Sequence, residues 1–311
     1  MDVSVVVPTC GRIEKLRACL FSLFTQDYPK KNTEIIVIDD RASRKTKDLT
    51  EELKKYFPQL KYLSQRRKGP AAARNLGAKN SQGEIIAYVD DDCVVENNWL
   101  KLMVEAQQKN PNIVVVGGKT LTANQKTTVL VSQFLSNCSI ESYIDGKKEV
   151  IFFPTCNVSF KRAVFDKYRF DETFPLPGGE DLEFFWRLFK DGYRFIWDKD
   201  IKVIHYRDDT FFSFMKQAYI YGRGNLLAQY LHKDHPLLHE LRTEKKIFWL
   251  ATFINTLKIP RFAQLLGVKL IKEEKIKGKF KKIAIYLYFI LHKIFYIFGN
   301  IFEYFRVKKD A

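Results

Sequence analysis

Three consecutive carboxylates, Asp90, Asp91 and Asp92, directly follow the apolar run of residues 85–89. Carboxylates crowded at the mouth of a buried strand repel one another and call for a counterion. Hard oxygen ligands suit Mg²⁺ or Mn²⁺, and a divalent ion shared with a diphosphate would neutralise both groups. The same triplet would also serve as an exposed acidic turn ahead of a helix starting near Asn97. A second acidic spot, Gly178-Gly179-Glu180-Asp181, opens a helical pattern running to about Lys190. A partly desolvated Asp181 could take a proton from a hydroxyl as it attacks an electrophilic carbon. Alternatively, Glu180 and Asp181 are first-turn acids complementing the helix dipole. His205 closes the apolar segment 201–204, either as a metal ligand or as a structural histidine.

Arg74-Asn75 lies within the small-residue segment 69–77, where a helix start can approach a ligand closely and the guanidinium can face a diphosphate. A tightly packed helix with an exposed Arg reads the same way. The segment carries neither GxGxxG nor a Walker loop, and Gly11-Arg12 is too short a glycine turn for a nucleotidyltransferase phosphate loop.

Placing these residues requires an α/β scaffold. Strand-like runs recur at 3–7, 34–38, 60–63, 85–89 and 113–116, with helical patterning at 13–24, 46–56, 71–78 and 99–108. Connections of that length make crossovers, so strands of this half should be largely parallel and covered on both faces. Ligands then gather beyond the carboxyl ends of the strands, which singles out Pro8 and Thr9, Asp39 and Asp40, and the 90–92 triplet. Residues 118–200 look mixed, with shorter runs at 150–153, 158–160 and 195–197, and are expected to hold the acceptor half.

The pieces come in an informative order: Val3-Ser4-Val5-Val6-Val7-Pro8-Thr9, Val37-Ile38-Asp39-Asp40, Arg74-Asn75, Asp90-Asp91-Asp92, Cys156-Asn157-Val158-Ser159-Phe160-Lys161-Arg162 and Glu180-Asp181. Over roughly residues 1–210 this ordered set resembles the family 2 glycosyltransferases. The resemblance implies a GT-A fold, with a Rossmann-like nucleotide-binding half, a mixed central sheet and, here, a helical C-terminal extension. It implies inverting transfer of a sugar from a nucleotide-diphosphate donor to a glycan, polysaccharide or lipid-linked acceptor. Pro8, Thr9, Arg12, Asp40, Arg74, Asp90 and Asp91 then serve the donor, with Asp40 near the base. Asp90 and Asp92 become the DxD pair holding Mn²⁺ or Mg²⁺, with His205 where some members place a third ligand. Asp181 matches the catalytic base, while Gly179, Glu180 and Trp186 fall in the acceptor region. Arg41 and Ala42 depart from the small polar residues expected after the paired aspartates.

Net charge is +16 over 311 residues, which would suit a nucleic-acid binder if it were spread evenly. It is not: residues 211–311 hold 19 Lys+Arg against 7 Asp+Glu, whereas residues 1–210 hold 33 against 29. The basic residues are interleaved with apolar runs rather than set on a polar groove, so nucleic acid is not the expected partner. Residues 211–230 and 247–257 are apolar and aromatic, and 283–305 approaches spanning length. Lys282, Tyr286, Lys293 and Asn300 trace one polar stripe along that last run, behind the Lys-rich stretch 269–282. The division expected is a catalytic domain over 1–210 and a basic, aromatic extension over 211–311. The extension is read as a peripheral or monotopic anchor on anionic lipid at the cytoplasmic face, with a spanning helix or ordinary packing as alternatives. Five scattered cysteines without CxxC spacing read as reduced thiols, and no export signal is expected from the pattern that leads into the strand-like run 3–7. The rival from another class is a noncatalytic glycosyltransferase-like scaffold at the membrane.

Overall fold

The computed structural model describes residues 1–138, 140–144, 147–174, 177–232 and 257–309. The chain divides into two compact units. The first comprises Met1–Ala123, Ser139–Pro175 and Glu183–Arg207, and the second Asn124–Cys138, Leu176–Leu182 and Asp208–Ala311.

The first unit is built on an eight-stranded sheet. In chain order its elements are β1 (Val3–Thr9), α1 (Ile13–Phe24), β2 (Thr33–Asp39), α2 (Arg44–Leu53), β3 (Leu60–Ser64), α3 (Gly69–Asn80), β4 (Ile85–Tyr88), β5 (Cys93–Val95), α4 (Trp99–Lys109) and β6 (Val115–Thr122). There follow a small hairpin, β7 (Glu141–Ile144) with β8 (Lys147–Val150), then β9 (Val158–Lys161), α6 (Val164–Lys167), α7 (Glu180–Lys190), whose first three residues belong to the second unit, and β10 (Phe195–His205). The label α5 belongs to Thr127–Cys138 of the second unit. Strand order is β3-β2-β1-β4-β9-β6-β10-β5. The β3-β2-β1-β4 half is parallel throughout, as the crossover lengths require. β1 and β2 are buried almost residue for residue, the pattern of strands covered on both faces.

Beyond β4 the sheet becomes mixed. β9 runs antiparallel to both β4 and β6, β10 is parallel to β6, and β5 is antiparallel to β10. The apolar run 150–153, expected as a strand, forms only the end of β8 at Val150. Phe153 instead turns inward, wholly buried against Phe185 and Phe195. The three-residue β5 was too short for a periodicity argument, and α5 has an amphipathic pattern too weak to read.

In the second unit α8 (Phe211–Leu231), α9 (Ile259–Glu273) and α10 (Lys279–Lys309) pack together with α5. Thr210 caps α8 by accepting from the Ser213 N–H at 3.2 Å. Buried Glu303 of α10 accepts from Arg223 of α8 at 2.8 Å and from Arg306 at 2.7 Å. Of the apolar stretch 247–257, only Leu257 lies within the described residues.

The polar stripe of α10 faces inward more than expected. Tyr286 covers Gly267 of α9, and Lys293 places its ammonium 5.2 Å from the rings of both Phe262 and Tyr296. Burial pushes the Lys293 ammonium below its ordinary pKa. Phe280, Ile283, Leu287, Phe298, Phe302 and Phe305 are exposed instead. At 3.6 residues per turn they share one face about 100° wide. Apolar surface lost from one side of a helix to its neighbours is thus matched by a second apolar stripe left open on the other.

Candidate active site

The ends of β1, β2 and β4 bring Pro8, Thr9, Asp39, Asp40 and Asp91 together. Thr9, last residue of β1, is in register with Asp39, last of β2, and its carbonyl accepts from Asp40 N at 2.9 Å. Its hydroxyl donates to Asp91 Oδ2 at 2.5 Å. Pro8 lies one position earlier, opposite Ile38, where its missing N–H removes a ladder bond near the strand end.

The triplet leaves β4 in a tight turn in which Cys93 N bonds the Asp90 carbonyl at 3.0 Å. Its three carboxylates meet different surroundings. Asp91 is wholly buried and pairs with the Arg12 guanidinium while accepting from Thr9. Burial raises its pKa, with Arg12 opposing. Asp92 accepts from Arg12 at 2.8 Å on one oxygen and meets His205 Nε2 at 3.0 Å on the other, with Lys15 at 3.9 Å. Burial alone would raise the Asp92 carboxyl, but the His205 hydrogen bond and charge, joined by Arg12 and Lys15, hold it down at about 2. His205 shows the counterpart shift: burial opposes its protonated form, yet Asp92 keeps its pKa raised. Asp90 stands apart, 30% exposed, with Arg74 at 3.9 Å.

His205 reaches Asp92 because β10 ends against β5, so His205 is the register partner of Cys93, and Tyr206 N bonds the Asp92 carbonyl at 2.8 Å. Two ligands at right angles on a cation with bonds of about 2.1 Å lie about 3.0 Å apart. The Asp92–His205 spacing therefore fits a shared divalent ion with one oxygen and one nitrogen donor. Arg12 and Lys15 compete for the remaining oxygen of Asp92.

Asp40 builds the neighbouring wall. Its Oδ1 accepts from Gln65 Nε2 at 2.7 Å and Lys68 N at 2.8 Å, and Gly69 N approaches both oxygens. A carboxylate thereby caps the start of α3, where exposed N–H groups need acceptors. That helix carries Arg74, 6% exposed, with its guanidinium 5.7 Å from the Phe170 ring. Asn75 is a clamp: its side chain donates to the Phe170 carbonyl at 2.9 Å and accepts from Phe170 N at 2.9 Å. Arg41, the departure from the expected pattern, donates to Cys10 Sγ at 3.2 Å.

At the start of α7, Glu180 is buried and turned back to accept from Gly178 N at 2.7 Å. Half-buried Asp181 accepts from Leu182 N at 2.9 Å. Gly179 has φ +96°, and a Cβ there would collide with the Gly224 backbone of α8. Trp186 is buried, 5% exposed, among residues of the aromatic core rather than on open surface.

Three residues escaped sequence reasoning. Lys15 lies one helical turn beyond Arg12, a spacing that could have revealed it. Cys93 meets His205 through the β5–β10 pairing and Cys156 reaches them from the turn before β9, which no local signal announces.

A parallel nucleotide-type half whose strand ends gather carboxylates and cations defines an α/β enzyme acting on a phosphorylated nucleotide ligand. Residues 4–169 match glycosyl transferase family 2, and the chain belongs to that family. It is 27% identical over 231 residues to the Methanococcus voltae dolichyl N-acetyl-alpha-D-glucosaminyl phosphate 3-beta-D-2,3-diacetamido-2,3-dideoxy-beta-D-glucuronosyltransferase, covering 71% of each chain. The fold is similar to the mannosyltransferase PcManGT from Pyrobaculum calidifontis in complex with GDP-Man and Mn²⁺, with TM-score 0.66 at 16% identity, covering 97% of this chain and 86% of that one. It is also similar to S. aureus TarS 1-349 in complex with UDP-GlcNAc, with TM-score 0.62 at 20% identity, covering 99% and 92%. The protein has the GT-A fold and is a nucleotide-sugar glycosyltransferase.

Proposed function

We propose that the protein transfers a sugar, with inversion, from a nucleotide-diphosphate donor to a lipid-linked acceptor at a membrane surface. The observation that carries the reading is Asp92, held between His205 and Arg12 beyond the end of β4. Pro8, Thr9, Asp40 and Arg74 form the donor side: Asp40 orders the 65–69 turn, and Arg74 offers its cation to the diphosphate. Arg12 pairs with both Asp91 and Asp92 and so offsets the repulsion between them. Asp92 and His205, with Asp90 available nearby, would hold Mn²⁺ or Mg²⁺, which when bound neutralises the departing nucleotide diphosphate. Asp181 takes the proton from the acceptor hydroxyl as that oxygen attacks the anomeric carbon from the face opposite the leaving group. Glu180, Gly179 and Trp186 belong to the acceptor side as shaping residues; for Trp186 that role runs through packing, given its burial.

Support for a lipid-linked acceptor comes from the dolichyl-phosphate-linked substrate in the name of the Methanococcus voltae relative. Among the described residues one helix, Lys279–Lys308, is long and apolar enough to cross a membrane. Its exposed stripe, flanked by Lys279, Lys281 and Lys282 at one end and Arg306, Lys308 and Lys309 at the other, suits an orientation along an anionic cytoplasmic surface. We take residues 1–210 as the catalytic domain and 211–311 as the membrane-associating extension.

The test is turnover of a panel of UDP-, GDP- and dTDP-sugars with membrane extract as acceptor, with and without Mn²⁺ or Mg²⁺. One donor should be consumed in a metal-dependent way by the wild type and not by Asp92→Ala or Asp181→Asn. Absence of turnover and donor binding under every condition would leave the noncatalytic scaffold as the better reading. Flotation with vesicles containing anionic lipid checks the extension: Phe298→Glu/Phe302→Glu should release the protein without altering turnover of a soluble acceptor analogue.

A further inference from the structure

Behind the carboxylates lies a group of different chemistry. Cys93, Cys156 and His205 each direct a ligand atom, two sulfurs and one ring nitrogen, to positions all within 4.8 Å of one another. They arrive from three places in the sheet. Cys93 opens β5 and is paired in register with His205 at the end of β10. Cys156 precedes β9, in a turn where Asn157 N bonds the Pro154 carbonyl at 3.2 Å, and its sulfur lies 3.7 Å from the Thr120 hydroxyl. Cys93 is wholly buried and Cys156 is 5% exposed.

We propose that Cys93, Cys156 and His205 form a binding site for a soft divalent metal, of which Zn²⁺ is the natural occupant, distinct in chemistry from the oxygen-lined donor site. Tetrahedral zinc, with Zn–S of about 2.3 Å and Zn–N of about 2.0 Å, separates its ligand atoms by about 3.5–3.8 Å. The three atoms need draw together by no more than about 1.3 Å to reach that spacing. Thiolate-rich sites favour Zn²⁺ over Mn²⁺ and Mg²⁺, which prefer oxygen. Orientation is supplied as well: Asp92 accepts from His205 Nε2–H at 3.0 Å, which leaves the lone pair on Nδ1, so an ion bound here takes His205 as its own ligand and the donor-site metal would then rest on Asp90 and Asp92 without it. A water completes four-coordination. Binding exchanges the two thiol protons for the metal, so two protons are released per ion bound. The three ligands come from β5, the turn before β9 and β10, so an ion here would tie together the antiparallel part of the sheet. The site stands on its own geometry, whatever sugar the enzyme uses.

The test uses the full-length, reduced protein titrated with Co²⁺ as a spectroscopic substitute for Zn²⁺. One equivalent should give an intense thiolate-to-cobalt charge-transfer band together with tetrahedral d–d absorption, and Zn²⁺ should abolish both by displacement. Cys93→Ser and Cys156→Ser should each remove the charge-transfer band, whereas Cys10→Ser, at an exposed cysteine, should keep it. Absence of the band in wild type, or its survival in the Cys93→Ser/Cys156→Ser double variant, overturns the proposal. Should the buried-site variants fail to fold, zinc-edge X-ray absorption on the wild type decides: two sulfur neighbours at about 2.3 Å uphold the site, and none or one overturns it.

Discussion

Two pairs of adjacent aspartates end two parallel strands of the same sheet, and they do different work. Asp39 is wholly buried and spends its carboxylate on the backbone, accepting from Arg41 N at 2.9 Å and Ser43 N at 2.6 Å, with the Tyr62 hydroxyl at 3.1 Å. Asp40 likewise caps α3. Asp91 and Asp92 accept instead from side chains: Thr9, Arg12 and His205. Acceptors committed to main-chain N–H groups shape a loop, while acceptors held by side chains can exchange those partners for a ligand. Two Asp-Asp dipeptides that look alike in the sequence thus divide into scaffold and chemistry according to which donors the fold delivers.

The comparison can be broken most severely at Asp92. Replacement by Ala should lower kcat on the order of 10³-fold, because the developing charge on the leaving group loses its stabilisation. Some stability is lost too, because the native contacts that hold the Asp92 carboxyl at about 2 disappear, but activity should be gone even at temperatures where the variant is fully folded. Turnover retained by the folded variant would place Asp92 with the scaffold. Asp39→Ala should behave the other way. It leaves two turn N–H groups and a tyrosine hydroxyl without their acceptor, costing about 3 kcal/mol in denaturant unfolding. At temperatures where the variant stays folded it should retain most of its turnover per molecule.

The smallest effect is a pH dependence of the Asp92–His205 pair, measured with a chelator present. His205 has its pKa raised by Asp92, so its contribution to stability is full below its unfolded value of about 6.5 and is lost as pH rises through the folded value. Asp92 is depressed to about 2, so its contribution is present above the unfolded value and is lost as pH falls through the folded one. The difference in Tm between wild type and His205→Gln should accordingly be greatest between about pH 4 and 6.5, and shrink on either side. A flat difference across that range would show that the imidazole acts only by packing.

Much of this was legible beforehand because it is local. The runs at 3–7, 34–38 and 60–63 became β1 to β3, since β-branched repeats bounded by crossover-length helices leave few alternatives. Strand-end placement of Thr9, Asp40 and the triplet followed from the same argument. The runs at 158–160 and 195–197 were read as strands of a mixed sheet, but the insertion of β9 between β4 and β6 was not legible, because it depends on contacts far apart in the chain. Nor was the orientation of α10. The spacing of Lys282, Tyr286, Lys293 and Asn300 defined a stripe, but the glycines at 267 and 299 drew that side of the helix toward its neighbours.

The sequence by itself determined the family, the parallel strands and the identity of the carboxylates, because periodicity and motif order are properties of neighbouring residues. Tertiary structure alone decided which carboxylate meets which cation. It brought His205 to Asp92 and to two cysteines of the core, because the register between β5 and β10 is set by packing across the whole sheet and leaves no trace at any one position.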